Sequence, residues 1–290
     1  MKHDVFELRR GRTPLLISMP HVGREIPADQ HHRYVERALG SEDTDWHLEP
    51  LYAPIAEQLG AGMLVPRFSR YLIDLNRPPE DTPMYPGASN TELCPTRFFT
   101  GEPLYQDGLA PDATEKQRRI EQYWAPYHQA LQGELQRLRQ EHGFALLFEA
   151  HSIRSELPWL FEGRLPDLNI GTVEGKSCKQ ITRQAIEIVL QAQDDFSWVV
   201  DGRFKGGYIT RQYGRPELGQ QAVQLEMCYR CYMVENDMGF TGYELDAGCV
   251  ERVRPVLTML LQAYLMANPS ANPSANPSAN PPTHPPRSAA

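Results

Sequence analysis

The sequence lacks any long uninterrupted apolar segment. No stretch of its 290 residues approaches the roughly 18 to 20 apolar residues that span a bilayer. Residues 1–16 mix charges of both signs and contain no apolar core of signal-peptide length. Cysteine is scarce too, and five in so long a chain do not make a disulfide framework. We therefore expect a cytoplasmic protein that has no membrane partner.

Basic residues are the minority charge. The chain has 29 Lys and Arg against 37 Asp and Glu, which gives a formal net charge of −8. A nucleic-acid binder gains affinity by releasing counterions from phosphates, so this balance argues against nucleic acid as a partner. The hydrophobic fraction of 41% is nevertheless enough to bury a sizeable core. The length suits one large α/β domain or two small ones.

Several catalytic motifs are missing as well. There is no Gly-x-Ser-x-Gly turn for a nucleophilic serine, and no Walker or Gly-x-Gly-x-x-Gly pattern for a phosphate. Cys228 and Cys231 have Cys-x-x-Cys spacing, but no second pair exists, so we interpret them as structural. Catalysis through a serine or cysteine nucleophile is therefore not expected.

Proline is concentrated at one end of the chain. Seven of the 25 prolines lie in the last 24 residues, where the tetrapeptide Ala-Asn-Pro-Ser repeats from Ala267. This segment has no aromatic residue and no aliphatic residue larger than alanine, so burial cannot offset the entropy of ordering it. We expect a folded domain over residues 1–266 and a disordered tail over residues 267–290.

Apolar runs and helical periodicities alternate along the rest of the chain, which favours a mostly parallel sheet with helices on its faces. The clearest helix is predicted from about residue 113 to 142, and others at 46–59, 177–191 and 250–266. Strands are predicted at 13–19, 63–65, 71–75, 144–150, 198–200 and 222–226. The long connection 76–112 is rich in Pro, Gly and Thr, which is typical of a segment that carries or covers a site.

Two of the apolar strands run into a histidine, His21 and His151. Ligands of open α/β sheets lie beyond the carboxyl ends of the strands, so the two histidines can meet there. Neutral imidazole is a common zinc ligand, and a catalytic zinc needs a third protein ligand. Asp43, Asp45 and Glu25 are the acidic candidates. Either aspartate could instead cap the helix that follows it.

A cluster of donors follows the predicted strand 71–75. Arg70, Asn76 and Arg77 lie beside the expected metal edge, and a guanidinium there suits a bidentate carboxylate. The alternative is a surface ion pair.

Two further features carry candidate residues. Gly206 and Gly207 are expected to let the backbone approach a ligand closely, with Arg211 following, although a flexible basic loop is the alternative. Glu226 lies within an apolar strand, where a buried carboxylate is costly unless it has a partner or a proton. Beside a zinc-bound water it could act as general base and then as general acid.

Ordered blocks over residues 15–233 resemble the N-formylglutamate deformylase (amidohydrolase) family. The blocks are Ser-Met-Pro-His-Val-Gly (18–23), Asp-Thr-Asp-Trp-His (43–47), Ser-Arg-Tyr-Leu-Ile-Asp-Leu-Asn-Arg-Pro (69–78), Gly-Glu-Pro-Leu-Tyr (101–105), Pro-Tyr-His (126–128), Ala-His-Ser-Ile-Arg-Ser (150–155), Leu-Pro-Asp-Leu-Asn (165–169), Phe-Lys-Gly-Gly-Tyr-Ile-Thr-Arg (204–211) and Val-Gln-Leu-Glu (223–226). The family is similar to zinc carboxypeptidases and aspartoacylases. The resemblance therefore implies a three-layer α/β/α sandwich around a mixed, mostly parallel sheet.

The resemblance also implies chemistry. It implies one zinc ion held by His21 and His151. The usual His-x-x-Glu is absent, since position 24 is Arg, so Asp45 is the preferred third ligand because its block resembles one in the deformylases, and Glu25 is the alternative. Glu226 matches the catalytic glutamate, and Arg70 is the preferred cation for the oxyanion. The substrate implied is N-formyl-L-glutamate, cleaved to formate and L-glutamate in the last step of a histidine degradation route. Its two carboxylates are expected to bind cations supplied by Arg77, Arg154 and Arg211.

Two alternatives stay open from the sequence. One keeps the fold and the metal but acts on another acyl group, as an aspartoacylase-type N-acylamino-acid hydrolase. The other is a metal-free module that binds amino-acid dicarboxylates. A monomer or small homo-oligomer is expected in either case.

Overall fold

The computed structural model describes residues 4–83, 91–235 and 243–268. They form a seven-stranded sheet in the order β1-β3-β2-β4-β7-β5-β6. The strands are β1 (Phe6–Arg9), β2 (Leu15–Ser18), β3 (Gly62–Pro66), β4 (Ala145–Ile153), β5 (Leu168–Gly171), β6 (Trp198–Val200) and β7 (Gln220–Cys228). β2, β3, β4 and β7 run parallel, whereas β1 pairs antiparallel with β3, and β5 pairs antiparallel with β7. The sheet is thus mixed and mostly parallel in its central part.

Helices cover both faces of this sheet, as expected of an α/β/α sandwich. The helices are α1 (Leu48–Leu59), α2 (Ala113–Arg119), α3 (Ala125–His142), α4 (Gln180–Gln191), α5 (Tyr208–Tyr213) and α6 (Ala247–Met266). Apolar residues of α1, α4 and α6 pack on one face, and those of α3 and α5 pack on the other. The predicted α/β class is confirmed.

The alternation of side chains along β4 decides where the polar residues lie. Leu146, Phe148 and Ala150 face the core under α1 and α6. Ala145 and Leu147 belong to the core under α3. Because successive side chains point to opposite faces, the next two residues of this second series, at positions 149 and 151, continue on the α3 side. They replace apolar packing with a buried glutamate and a buried histidine toward the carboxyl end of the strand.

The predicted helix over 113–142 is present, but one part of it departs from α geometry. α2 begins where the Asp112 carboxylate accepts a hydrogen bond from the Glu115 N–H at 2.8 Å, and α3 ends at Gly143, whose φ is +83°. Between them, residues Ile120–Trp124 form a π-helical turn. The periodicity therefore located the helix correctly without revealing its bulge.

The predicted strand over 71–75 is wrong. These residues are buried, but they form turns, in which Leu72 N–H donates to Ser69 O and Arg77 N–H donates to Asp74 O. The Asp74 carboxylate also accepts from the Asn76 N–H at 2.8 Å, which stabilises the turn against extension. His151 also differs from the expectation, since β4 continues to Ile153 and the histidine lies inside the strand.

The boundary expected between the folded domain and the tail, after residue 266, can be compared with the structure. Residues 269–290 of the predicted tail lie outside the described residues. Its first two residues are described, and Asn268 is buried. No helix in the described part of the chain combines the length and the apolar character needed to cross a membrane.

Candidate metal and substrate site

Three buried side chains from separate segments converge at the carboxyl edge of the central strands. His21 follows β2, Asp45 precedes α1, and His151 lies in β4, and their ligand atoms all lie within 4.8 Å of one another. The Asp45 Oδ2 atom lies 3.0 Å from His151 Nδ1 and 3.8 Å from His21 Nδ1. The Asp45 N–H donates to the His21 carbonyl at 3.0 Å, so the two loops are tied together. These residues form a candidate metal site.

Each histidine is oriented by a carboxylate on its far nitrogen. His21 Nε2 lies 2.7 Å from Asp74 Oδ1, and His151 Nε2 lies 2.8 Å from Glu149 Oε1. A carboxylate acceptor fixes the proton on Nε2, which leaves the Nδ1 lone pair of each ring for a metal ion. The other oxygen of Glu149 accepts a hydrogen bond from the Thr210 hydroxyl at 2.5 Å.

The carboxylates of this cluster favour a positive charge at His151. Burial alone would lower the pKa of His151, but Glu149 and Asp45 outweigh burial and hold that pKa well above its ordinary value. Burial and the nearby Arg70 lower the pKa of His21. Two imidazole nitrogens and a carboxylate oxygen are a donor set that suits Zn²⁺ among other divalent ions. The residues therefore fit a metal ion.

The two other acidic candidates have different surroundings. The Asp43 carboxylate accepts hydrogen bonds from Tyr71 Oη at 2.7 Å and from the Phe99 N–H at 2.9 Å. Burial raises the pKa of Asp43 to about 6. Glu25 pairs with Arg67 at 2.8 Å on the surface. Neither aspartate caps α1, whose N-cap residue is His47 without a side-chain hydrogen bond.

Glu226 lies on the strand next to His151. β4 and β7 are parallel and in register there, so Glu226 pairs directly with His151 and points to the same face. Burial raises the pKa of Glu226 to about 8, with His151 lowering it and Asp45 raising it. Among the described residues its carboxylate accepts no hydrogen bond, and it lines the pocket that opens onto the candidate metal site. It is therefore a carboxylate that can gain or lose a proton near neutral pH.

This pocket has a volume of about 80 Å³. Its described lining combines the two histidines and Glu226 with three arginines, Arg70, Arg77 and Arg203. The remaining lining residues are Asn76, Thr91, Phe99, Ser152, Ile153, Leu160, Phe161, Phe204, Gly207 and Gln224. A candidate metal site, a carboxylate with a raised pKa and several cations thus share one cavity, which suits the hydrolysis of a small anion.

The family model described as N-formylglutamate amidohydrolase matches residues 13–233, a range that contains the whole described lining of the pocket. The chain belongs to the N-formylglutamate amidohydrolase family. It is similar to the N-formylglutamate deformylase of Pseudomonas aeruginosa, with 46% identity over 262 residues, 90% of this chain and 96% of the relative. It is also similar to that of Pseudomonas putida, with 47% identity over 261 residues and the same shares of each chain.

Two solved structures share this fold, and one of them is an N-formylglutamate amidohydrolase. The crystal structure of N-formylglutamate amidohydrolase from Ralstonia eutropha JMP134 superposes with a TM-score of 0.74 at 25% identity, covering 91% of this chain and 97% of that one. A gene product from Agrobacterium tumefaciens superposes with a TM-score of 0.65 at 16% identity, covering 90% and 95%. The second likeness shows the fold alone.

Of the four arginines that the sequence suggested for the site of this amidohydrolase-family chain, Arg70 and Arg77 line the pocket. Arg70 is 6% exposed, its Nη2 donates to Asp74 Oδ2 at 2.8 Å, and its guanidinium lies 4.7 Å from the Phe99 ring centroid. Arg77 is held by Thr91, whose hydroxyl accepts from its Nη2 at 2.6 Å. In the described part of the chain, the pocket lining does not include Arg154 or Arg211.

The second of the paired glycines, Gly207, packs against the Asn76 side chain. A Cβ atom at Gly207 would lie 2.3 Å from Asn76 Nδ2, and Gly206 has a φ of +118°. The Asn76 Oδ1 atom accepts from the Ile209 N–H at 2.9 Å, and its Nδ2 lies 3.1 Å from His151 Nε2. Gly207 also lines the pocket, whereas Arg211 Nε donates to the Gly206 carbonyl at 2.9 Å.

Sequence reasoning missed two carboxylates and one arginine of this family member's site. Asp74 and Glu149 each interrupt an apolar run, which is the signal that identified Glu226. The same rule applied throughout the sequence would have found them. Arg203 lies in the same basic, glycine-rich segment as Gly206, Gly207 and Arg211, but no feature of the sequence distinguishes it from the other basic residues there.

Proposed function

We propose that this protein hydrolyses N-formyl-L-glutamate to formate and L-glutamate as a zinc amidohydrolase. The observation that carries this is the single cavity that holds the candidate metal site, Glu226 and three arginines. The relatives from the two Pseudomonas species support the substrate by their names. We further propose that it acts in the cytoplasm, as a monomer or small homo-oligomer, in the last step of histidine degradation.

His21, Asp45 and His151 would hold the zinc ion. When bound, such an ion acts as a Lewis acid and lowers the pKa of a coordinated water from about 15.7 toward 7. The protein's own contribution is to place the ring proton on Nε2 and to fix the orientation of both imidazoles through Asp74 and Glu149, so that each Nδ1 faces the ion.

Glu226 moves the proton. In the reaction a water oxygen bonds to the formyl carbon, the carbon–nitrogen bond breaks, and one proton passes from the water to the departing amine. A carboxylate with a pKa of about 8 is basic enough to accept that proton and acidic enough to return it to the nitrogen. Its position beside His151 in the cavity keeps this transfer within the site.

The pocket arginines provide positive charge for the carboxylates of the substrate and for the oxyanion that develops during the reaction. Arg70 is the buried cation of the lining, and we assign it to the oxyanion that forms on the formyl oxygen. Arg77 is adjacent to Asn76, whose amide contacts His151, so it is placed to bind a carboxylate next to the reacting bond. Asn76 itself holds α5 in position, because its Oδ1 accepts from the Ile209 N–H.

A formate-release assay tests this proposal. The protein is measured on N-formyl-, N-acetyl- and N-propionyl-L-glutamate, after chelation and again after zinc is restored. We expect formate from the formyl substrate alone, lost on chelation and recovered with zinc. Faster cleavage of the acetyl substrate would indicate an aspartoacylase-type enzyme, and protein that binds no zinc and gains no activity from it would refute the metal assignment.

The Glu226→Gln variant tests the proton transfer separately. We expect it to retain zinc and to lose about 100-fold or more in kcat, the typical contribution of a general acid–base. Turnover at the wild-type rate would remove Glu226 from the mechanism while leaving the metal site in place.

A further inference from the structure

The outer wall of the pocket is apolar and ends in a guanidinium. Leu160, Phe161 and Phe204 line it, and the two phenyl rings meet edge to face with centroids 6.4 Å apart. Arg203 lines the same cavity directly beside this wall. The wall thus offers a short hydrophobic surface followed by a positive charge.

Arg203 is attached to the wall. Its Nη2 donates to the Leu160 carbonyl at 3.4 Å, and its guanidinium carbon lies 5.7 Å from the Phe204 ring centroid. Arg203 is half-buried, whereas Arg70 is 6% exposed, so Arg203 lies nearer the solvent mouth. Arg70 therefore lies deeper in the pocket than Arg203, and Arg77 is half-buried like Arg203.

The arginines and the apolar wall of this pocket match the two carboxylates of an N-formylglutamate. Its α-carboxylate carbon is three bonds from the formyl carbon, and its side-chain carboxylate carbon is five bonds away. Arg77 belongs to the turn that also carries Asp74 and Asn76, both in contact with the histidines, so it suits the nearer carboxylate. The two methylenes then lie against an apolar wall, and the farther carboxylate reaches the remaining arginine.

We propose that Arg203 binds the side-chain carboxylate of the substrate and selects glutamate over neutral and shorter amino acids. This inference rests on the proposed function for the identity of the substrate. A neutral amide at the same position loses the charge-assisted hydrogen bonds to the guanidinium. An aspartate side chain is one methylene shorter, so we expect it to bind Arg203 less well while its formyl group lies beside Glu226.

The test compares Arg203→Met and Arg203→Lys with the wild type on N-formyl-L-glutamate, N-formyl-L-glutamine and N-formyl-L-aspartate. We expect Arg203→Met to lower kcat/KM for the glutamate substrate about 10- to 100-fold, mainly through KM, since hydrogen bonds to charged groups contribute on that scale. Its kcat/KM for the glutamine substrate should stay within about threefold. Arg203→Lys should restore part of the loss. Arg164→Met is the matched control, because Arg164 is exposed and pairs only loosely with Glu156.

Binding in a Glu226→Gln background separates this inference from the proposed function. Calorimetric titration of the zinc-loaded proteins should show the same selective loss of N-formyl-L-glutamate affinity, whether or not the wild type turns the compound over. An equal loss for the glutamate and glutamine substrates would indicate that Arg203 only supports Leu160, and an unchanged affinity for both would also overturn the inference. If the wild type releases no formate but binding remains selective, the proposed function fails and the inference stands.

Discussion

The Glu149 carboxylate lies between the His151 ring and the Thr210 hydroxyl. A glutamine there keeps the shape but weakens the acceptor that raises the basicity of the imidazole. We expect Glu149→Gln to reduce zinc affinity about 10- to 100-fold, as replacing a histidine's carboxylate partner commonly does. Competition with a chromogenic chelator measures this. Glu25→Gln is the control, because Glu25 lies on the surface in a pair with Arg67, and equal affinities for both variants would contradict the expectation.

His128 links stability to pH outside the metal cluster. Its Nε2–H donates to the Leu75 carbonyl at 2.9 Å, its Nδ1 accepts from Tyr213 Oη at 2.9 Å, and burial lowers its pKa to about 4. As the pH falls, His128 therefore becomes protonated in the unfolded chain before it does so in the folded one. The contribution of neutral His128 to the stability of the fold is complete above about pH 6.5 and is lost as the pH falls through about 4.

This loss amounts to the order of 3 kcal/mol, because one pKa unit corresponds to about 1.4 kcal/mol. Denaturant unfolding from pH 7 to pH 4 should show a shallower decline for His128→Gln than for the wild type. The wild-type slope persisting in the variant would assign the pH dependence to other groups.

At the scale of elements, α5 is positioned by the close approach of Gly207 to Asn76. A methyl group there must displace the amide that contacts His151, so we expect Gly207→Ala to lower kcat at least tenfold and to cost about 1–3 kcal/mol of unfolding free energy. Gly133→Ala is the control, since nothing lies within 4 Å of its added Cβ inside α3. That change should leave kcat unaltered and stabilise the helix by up to about 1 kcal/mol. A wild-type kcat in the Gly207→Ala variant would show that the Asn76 amide can be displaced without loss of activity.

The elements also show what the sequence could predict. Strands and helices with strong periodicity, such as β7 and the helix over 113–142, were located because burial alone imposes their pattern. Residues 71–75 are also mostly apolar and buried, but they form turns. The Asp74 carboxylate accepts a hydrogen bond from the Asn76 N–H, and this local bond competes with strand formation. Arg203 could not be assigned for a related reason, because its place in the pocket depends on a contact with Leu160, 43 residues away.

For the whole molecule, Asn268 marks where the folded body ends among the described residues. Its amide donates to Thr182 Oγ1 at 2.9 Å and accepts from Gln221 Nε2 at 2.6 Å, so it joins α6 to α4 and β7. A chain cut after Met266, the boundary expected from composition, loses these bonds and leaves buried Gln221 without this acceptor.

We expect truncation after Asn268 to preserve both stability and formate release. Truncation after Met266 should lower the unfolding free energy by about 1–3 kcal/mol, the cost of an unsatisfied buried polar group. Thermal unfolding of the two truncated proteins beside the full chain measures the difference. Equal stabilities would show that Asn268 contributes nothing, and a large loss of turnover on cutting after Asn268 would give the tail a role.

The strand order has a consequence for biosynthesis. β7 is the last strand to be translated among those described, yet it lies between β4 and β5 in the sheet. Until it leaves the ribosome, the nascent chain holds two separate pieces, β1-β3-β2-β4 and β5-β6, with no pairing between them. His151 then has no neighbouring Glu226. Assembly of the candidate site is therefore a late event, because β7 ends at residue 228 of 290, about four-fifths of the way along the polypeptide.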